Sequence, residues 1–263
     1  MTGTLNAILR QAGPAVIAVS GGIDSLTLAR LATLAHSQTV LYHAVSAAVP
    51  AQATQRVREL SDQFGWTLKV VDAGEMRDPD YLSNPVNRCF HCKNNLYGAI
   101  LSATNLPVFS GANLDDLQDY RPGLQSAAEH GVRHPFIEAE IDKPLIRQLA
   151  KDHGLDGFCE IPASPCLSSR VLTGLRIDPD ELMTIDRVEA ALRRVLGDIP
   201  LRCRRVMAGF MVQVDAAILA GLAEHDRQEV LAISSKVAGQ NGKIVGIEPY
   251  KMGSAFAHRA PHA

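Results

Sequence analysis

Two cysteines separated by two residues, Cys89 and Cys92 in "NPVNRCFHCKNNLY", have the spacing to grip one metal centre or to form one redox pair. A third, Cys166 in "IPASPCLSSRV", sits among prolines and serines that make its segment a loop. A Cys-x-x-Cys pair alone fits a thioredoxin-like redox pair, half of a zinc site, or part of an iron–sulfur site. The redox reading calls for the pair at a helix N-terminus after the first strand, whereas this pair lies deep in the chain. Zinc needs a fourth ligand; His91 is badly placed between the two cysteines, although a distant histidine or Cys203 could serve. Three cysteines from two loops can also hold three irons of a [4Fe–4S] cluster and leave the fourth iron open to an exogenous sulfide. Cys159 and Cys203 have no comparable context and read as small core residues.

A second chemical stretch, "VIAVSGGIDSLTLARLA", places Ser20, Gly21, Gly22, Asp24 and Ser25 between a buried strand and a helix. Glycines there let the backbone approach a ligand, and the N–H groups of the turn and helix start point at an anion, of which phosphate is the natural example. No Gly-Lys-Ser/Thr follows, so this is not a Walker A loop, and G-x-G-x-x-G is absent as well. The stretch resembles the S-G-G-x-D-S loop of the PP-loop ATP pyrophosphatases, which cleave ATP between the α- and β-phosphates. That resemblance implies pyrophosphate binding by Ser20, Gly21, Gly22 and Ser25, with Asp24 near the pyrophosphate and its Mg²⁺.

These residues need a scaffold, and the first half of the chain supplies the rhythm of βαβ units and a parallel sheet. "AVIAV" (15 to 19), "TVLYHA" (39 to 44), "TLKVV" (67 to 71) and "PVFSG" (107 to 111) read as strands. Leu28, Leu31, Ala32 and Ala35 share one helical face, and "QATQRVRELSDQFG" and "DKPLIRQLAKDHG" read as helices closed by a glycine at the C-cap. After about residue 172 a long helical pattern, "DPDELMTIDRVEAALRRVLG", precedes short strands in "LRCRRVM", "MVQVD" and "KIVGI". The expected fold is α/β: an open, mostly parallel sheet of the PP-loop (adenine nucleotide alpha hydrolase-like) type over residues 1–172. A smaller α+β domain over 173–263, serving substrate binding and oligomerisation, follows it. The tail "SAFAHRAPHA" reads as poorly ordered.

In 263 residues, 26 basic side chains against 28 acidic ones give a formal net charge of -2, so composition provides no general electrostatic footprint for nucleic acid or a membrane surface. No apolar run approaches the roughly 18 residues of a transmembrane helix, and the start of the chain lacks a signal-peptide pattern. A cytoplasmic protein with reduced thiols is expected.

"SGGIDS", "NPVNRCFHCKNNLY", "GANLDDLQDYRPG", "EAEIDKPLIRQLAKDHGL" and "PASPCLSSR", in this order, resemble the LarE family over most of residues 14 to 205. Those enzymes are ATP-dependent sulfur transferases that help make the nickel-pincer nucleotide of lactate racemase. The resemblance implies adenylation of a carboxylate on a pyridinium dicarboxylate mononucleotide, followed by replacement of AMP with sulfur. Some members sacrifice the sulfur of one cysteine, in the position of Cys166; others carry three cysteines and resemble a [4Fe–4S] enzyme. Cys89, Cys92 and Cys166 imply the second type, with Cys166 near the sulfur transfer.

The same resemblance puts Asn113 and Asp116 by ATP or its metal and Arg121 near substrate, while Asp115, Asp119 and Tyr120 enrich that loop in polar groups. Lys93, directly after Cys92, can neutralise phosphate charge during adenylation. Arg170, Arg202 and Arg204 have the guanidinium fork that matches a substrate phosphate, and 202 and 204 share a strand face. Glu189 matches a helix acid near the substrate, Ser169 lies in the Cys166 loop, and Arg193 and Arg194 read as a solvated helix face.

The chain departs from the family at "CEIPA" (Cys159, Glu160, Ile161), where a lysine is missing. It departs again at "GFMVQ", where Phe210 and Gln213 replace charged groups. These departures leave ATP use intact and open the identity of the acceptor. The expectation is therefore a homo-oligomeric enzyme using ATP, Mg²⁺ and a [4Fe–4S] cluster on a small-molecule mononucleotide, its sulfur donor unidentified. The alternatives are a PP-loop tRNA thiolase, sacrificial transfer from Cys166, and a nucleotide-binding module without turnover.

Overall fold

Short β-branched and aromatic runs become strands and the amphipathic runs between them become helices, in a computed structural model that describes residues 2–118, 120–159, 165–197 and 199–250. Asp119, Glu160, Ile161 and the tail from residue 251 lie outside the described residues. In chain order the elements are α1 (Thr2–Ala12), β1 (Val16–Ala18), α2 (Ile23–Ala35), β2 (Val40–Ala44), α3 (Ala51–Phe64), β3 (Thr67–Val71), α4 (Pro79–Leu82), α5 (Arg88–Leu101), β4 (Val108–Ser110), α6 (Pro122–Glu129), α7 (Pro135–Glu138), α8 (Lys143–Asp152), α9 (Pro179–Leu196), β5 (Leu201–Val206), β6 (Gly209–Val214), α10 (Ala216–Gly221), α11 (Glu224–Ala238) and β7 (Ile244–Pro249). They form two compact units: Met76–Val86 with the chain from Pro165 onward is one, and the remainder is the other.

The first unit carries a four-stranded sheet in the order β3-β2-β1-β4, every pair parallel, with Val16 opposite Val40 on one side and Val108 on the other. Its central strands are apolar on both faces because both are covered. Ile17, Leu41 and Phe109 pack with Leu26, Leu28, Val57, Phe136 and Ile146. Val16, Ala18, Tyr42 and Val108 pack on the other side with Tyr97, Ile100 and Ala127. Phe109 is fully buried, so Phe109→Ala would cost about 3–5 kcal/mol. Gly65 ends α3 at φ +65°. The second expected glycine stop falls one residue later than the cap: α8 caps at His153, and Gly154 at φ +82° follows. The Leu155 amide reaches Ala150 and the Gly154 amide reaches Lys151, the paired bonds of a Schellman turn.

The second unit holds a three-stranded sheet, β5-β6-β7, in which β5 and β6 are antiparallel and β7 runs parallel to β6. The long helix α9 starts with Asp178 accepting from the amides of Asp180 and Glu181, has Pro179 in its first turn, and carries Arg193 and Arg194 in its last. Each feature suits its end of the helix dipole. Its buried face, Leu182, Ile185, Val188 and Leu192, packs on β5 and α11.

A single cut after residue 172 does not reproduce this division. Residues 76–86, which sequence order alone assigns to the first unit, bond across the chain: Tyr81 Oη to Ser168 Oγ at 2.6 Å, Asn84 Nδ2 to the Leu172 carbonyl at 3.0 Å, and the Ile177 amide to the Leu82 carbonyl at 2.8 Å.

Candidate functional site

The stretch Ser20–Ser25 occupies the turn from β1 into α2, at the carboxyl end of the parallel sheet, where open α/β folds bind their ligands. Its shape is set internally. Ser25 Oγ accepts from the Ser20 amide at 3.1 Å and donates to the Gly22 carbonyl at 3.0 Å, and it lies 3.2 Å from Ser20 Oγ. Gly21 has φ +78°, and a Cβ there would sit 2.7 Å from the Ala53 carbonyl oxygen, so only glycine fits. Arg56, buried on α3, donates to the Gly21 carbonyl at 2.6 Å and fixes the outer side of the turn.

Asp24, in the first turn of α2, is gripped by Lys143, whose Nζ lies 2.5 and 2.6 Å from the two carboxylate oxygens. Burial pushes the Asp24 carboxyl above its ordinary range; Lys143 pulls it back, Asp116 adds to the rise, and Arg147 opposes it. No sequence motif marks Lys143 as part of this site. Its signal is a lysine at the start of α8, where its charge opposes the helix dipole unless an acid compensates it.

The segment after β4 closes against this loop. A Cβ on Gly111 would stand 2.8 Å from the Ser25 nitrogen and 2.9 Å from the Asp24 carbonyl carbon, so Gly111 lets β4 touch the start of α2. Beyond it, buried Asn113 accepts from the Asp115 amide at 3.0 Å, and Asp116 accepts from the Asn113 amide at 3.0 Å and pairs with Arg121 at 2.8 Å. Asp115 accepts from the Lys143 amide at 3.0 Å. Asn113, Asp116 and Asp24 are thus joined through α8. Tyr120 is exposed, and Arg121 is turned to Asp116.

Cys89 and Cys92 fall in the first turns of α5, the first exposed and the second half-buried, three residues apart and so on one helix face. Lys93 follows, its Nζ 5.6 Å from the Tyr97 ring centre. The start of α6 packs against this turn: a Cβ on Gly123 would be 3.1 Å from Lys93 Cγ and 3.7 Å from the Cys89 carbonyl. None of the five cysteines, all among the described residues, forms a disulfide.

In the second unit Cys166 is half-buried at the head of a short 3-10 turn, Leu167–Arg170. Arg170 organises that turn. It is 1% exposed, donates to the carbonyls of Pro165 and Cys166 at 2.5 and 3.1 Å and to Ser169 Oγ at 3.2 Å, and makes a two-pronged pair with Glu189 at 3.0 and 3.1 Å. Glu189 also accepts from the Cys203 amide and from Arg193, each at 3.0 Å, so Arg193 is not merely a solvated residue. Burial alone would raise the Glu189 carboxyl; the charge and hydrogen bonds of Arg170, then Arg193 and Arg202, outweigh it and hold it below its ordinary range.

Arg204 donates to Gln213 at 2.5 Å and to the Ser169 carbonyl at 3.0 Å, which ties β5 to the cysteine turn, and Arg202 lies 5.5 Å from the Tyr250 ring centre. Burial lowers both guanidinium groups, and Arg170 lowers them further by like charge, while Glu189 and Tyr250 oppose the shift. Such a crowded set of cations favours an anion. Gln213, one of the sequence departures, is bound on both sides, accepting from Arg204 and donating to Glu248 at 2.7 Å; Phe210 is buried. Burial, with the Glu189 charge, pushes the Cys203 thiol strongly up.

The fold and loop define an α/β protein with a parallel four-stranded sheet and a glycine turn at the end of its first strand. No family model matches the chain. It is 37% identical over 188 residues to the Uncharacterized protein slr1717 of Synechocystis sp., covering 69% of each, and it belongs to the same family as that protein. It is 27% identical over 196 residues to the pyridinium-3,5-bisthiocarboxylic acid mononucleotide synthase of Lactiplantibacillus plantarum, covering 72% of this chain and 71% of that one. With the Uncharacterized protein MJ0830 of Methanocaldococcus jannaschii it shares 26% over 205 residues, 76% of this chain and 78% of the other. Among the described residues no helix is long and apolar enough to cross a membrane.

Proposed function

We propose that the chain is a PP-loop-type, ATP-dependent sulfur transferase acting on a carboxylate of a pyridinium dicarboxylate mononucleotide, as the name of its distant relative suggests. The observation that carries the reading is the turn at Ser20–Ser25, shaped for an anion and flanked by the Asp24–Lys143 pair.

Backbone N–H groups of Gly21, Gly22 and Ser25, with the Ser20 hydroxyl, would hold the pyrophosphate. Lys143 and Lys93 offset charge on the phosphates. Asp24, Asn113 and Asp116 supply the oxygen ligands that suit Mg²⁺, which neutralises phosphate charge when bound. The substrate carboxylate attacks the α-phosphorus, the bond to the bridging oxygen breaks, and pyrophosphate leaves with the electron pair. A sulfur nucleophile then adds at the acyl carbon and AMP departs, leaving a thiocarboxylate.

Cys89 and Cys92, on one helix face, and Cys166 offer thiols of the kind that would hold a [4Fe–4S] cluster. When bound, that cluster supplies the sulfide to be transferred. Arg202 and Arg204 would take the substrate phosphate, while Arg170 and Glu189 hold the Cys166 turn for them.

The test is anaerobic incubation of the full chain with ATP, Mg²⁺ and the pyridinium-3,5-dicarboxylate mononucleotide. AMP and pyrophosphate release that depends on this acceptor, with iron and acid-labile sulfide lost in Cys89→Ala, is expected. Absence of acceptor-dependent pyrophosphate release refutes the activity. Iron-free protein that loses one sulfur from Cys166 refutes the cluster and assigns a sacrificial donor.

A further inference from the structure

His134 lies at the same edge of the sheet and has no part in the function described so far. Residues 132–134 run beside β4 as a short parallel extension: the Ser110 amide donates to the Arg133 carbonyl and the Arg133 amide to the Val108 carbonyl, each at 3.0 Å. This brings His134 Nδ1 to 2.8 Å from Ser110 Oγ. Ser110 immediately precedes Gly111, the residue that touches Asp24 and Ser25 at the start of α2. The imidazole is therefore anchored one residue from the phosphate turn.

A structural duty for the ring is missing where one would be expected. His134 occupies the N-cap position of α7, yet its side chain caps nothing, and Pro135 at the first helical position needs no acceptor. Among the described residues Nε2 makes no hydrogen bond. The groups that act on the ring are Lys93 of α5, Asp116 of the loop after β4, and Glu138 of α7. Burial lowers its proton affinity, the bond at Ser110 and the two acids raise it, and Lys93 lowers it; the balance keeps it below the ordinary histidine range and uncharged at neutral pH.

An uncharged imidazole on the sheet's ligand edge, with one nitrogen anchored, suits an uncharged polar partner, since Lys143, Lys93 and the backbone N–H groups already serve the anionic end. A ribose hydroxyl both donates and accepts, so it matches Nε2 in either tautomer. We propose that His134 is a nucleotide-contacting residue, its Nε2 hydrogen-bonded to a ribose hydroxyl of the bound nucleoside triphosphate while Ser110 holds Nδ1. This rests on the nucleotide part of the proposed function and is independent of the acceptor and of the sulfur source.

The test is calorimetric binding of Mg²⁺ with ATP, 2′-deoxy-ATP or 3′-deoxy-ATP to the full chain and to His134→Ala. The native protein should bind one deoxy analogue about tenfold more weakly than ATP, the effect of one hydrogen bond, and His134→Ala should bind that analogue and ATP equally. Where His134→Ala fails to fold, the ring ¹⁵N resonances of the native protein decide: His134 Nε2 should shift with ATP and not with the discriminated analogue. Equal affinity of the native protein for all three nucleotides, discrimination that persists in His134→Ala, or an Nε2 resonance indifferent to ATP overturns the inference alone. Failure of the native protein to bind ATP overturns the nucleotide reading and this inference with it.

Discussion

Glu189→Gln keeps the shape of a side chain that is 1% exposed, removes its charge and turns one accepting oxygen into a donor. In the native protein one carboxylate oxygen accepts from Arg170 Nε and the Cys203 amide, the other from the Nη2 atoms of Arg170 and Arg193, all at 3.0 to 3.1 Å. Glutamine keeps a single accepting oxygen, so an Arg170 donor comes to face an N–H donor, and a guanidinium that is itself 1% exposed loses its counter-charge. Breaking a buried ion pair from one side costs about 3–5 kcal/mol. At about 2–4 °C per kcal/mol for a chain of this size, the unfolding midpoint should fall by roughly 6–20 °C. Circular dichroism during heating and urea titration at pH 7.5 measures this.

Removing both charges together, Arg170→Met with Glu189→Leu, should cost less than Glu189→Gln, because the Arg170 guanidinium is then not left buried without its counter-charge. The sign with pH is fixed as well. The carboxyl of Glu189 is held below its ordinary range, so the stability it contributes is complete above the ordinary glutamate range and is lost as pH falls through the depressed value. The gap between native and variant should narrow in acid. Because Arg170 also holds the carbonyls of Pro165 and Cys166, Glu189→Gln should speed alkylation of Cys166. A stability loss under about 1 kcal/mol, with unchanged Cys166 alkylation, would refute the role given to this pair.

Gly21→Ala meets a backbone oxygen at 2.7 Å and a left-handed φ, the latter alone costing about 1–2 kcal/mol, so on the proposed function ATP affinity by calorimetry should fall at least tenfold; unchanged affinity would contradict the part that the proposal gives this turn. Brief iodoacetamide treatment of the apo protein should label Cys89, Cys92 and Cys166 before Cys159 and Cys203, which are fully buried; mass spectrometry showing Cys203 labelled as fast as Cys89 would contradict its raised thiol.

Strand positions were legible because a doubly covered parallel strand is written as an unbroken apolar run, as in "AVIAV" and "PVFSG", whose cores become β1 and β4. The turn at Ser20–Ser25 was legible for a related reason: glycine and serine between a strand and a helix are a local pattern. Lys143 was not, since its partner Asp24 is 119 residues away and only the tertiary fold joins them. Nor was the duty of Arg170, which composition presents as one more phosphate-seeking cation and packing commits to Glu189 and two carbonyls. Gly111 and His134 are not legible in the sequence, because a close approach and a ring anchored across 24 residues leave no periodic trace.

The membership of residues 76–86 in the second unit bears on how the chain is made. Tyr81 must find Ser168, 87 residues later, before its hydroxyl has its partner. At about 5–20 residues per second of synthesis, that is a wait of roughly 4–17 s. The first unit can begin to assemble on the ribosome during that interval, with Tyr81 and Leu82 still uncovered in a segment that interrupts it. A shortened chain stopped at residue 164 would make the wait permanent. Such a fragment should then bind chaperones or aggregate through those two side chains, however well its parallel sheet has formed.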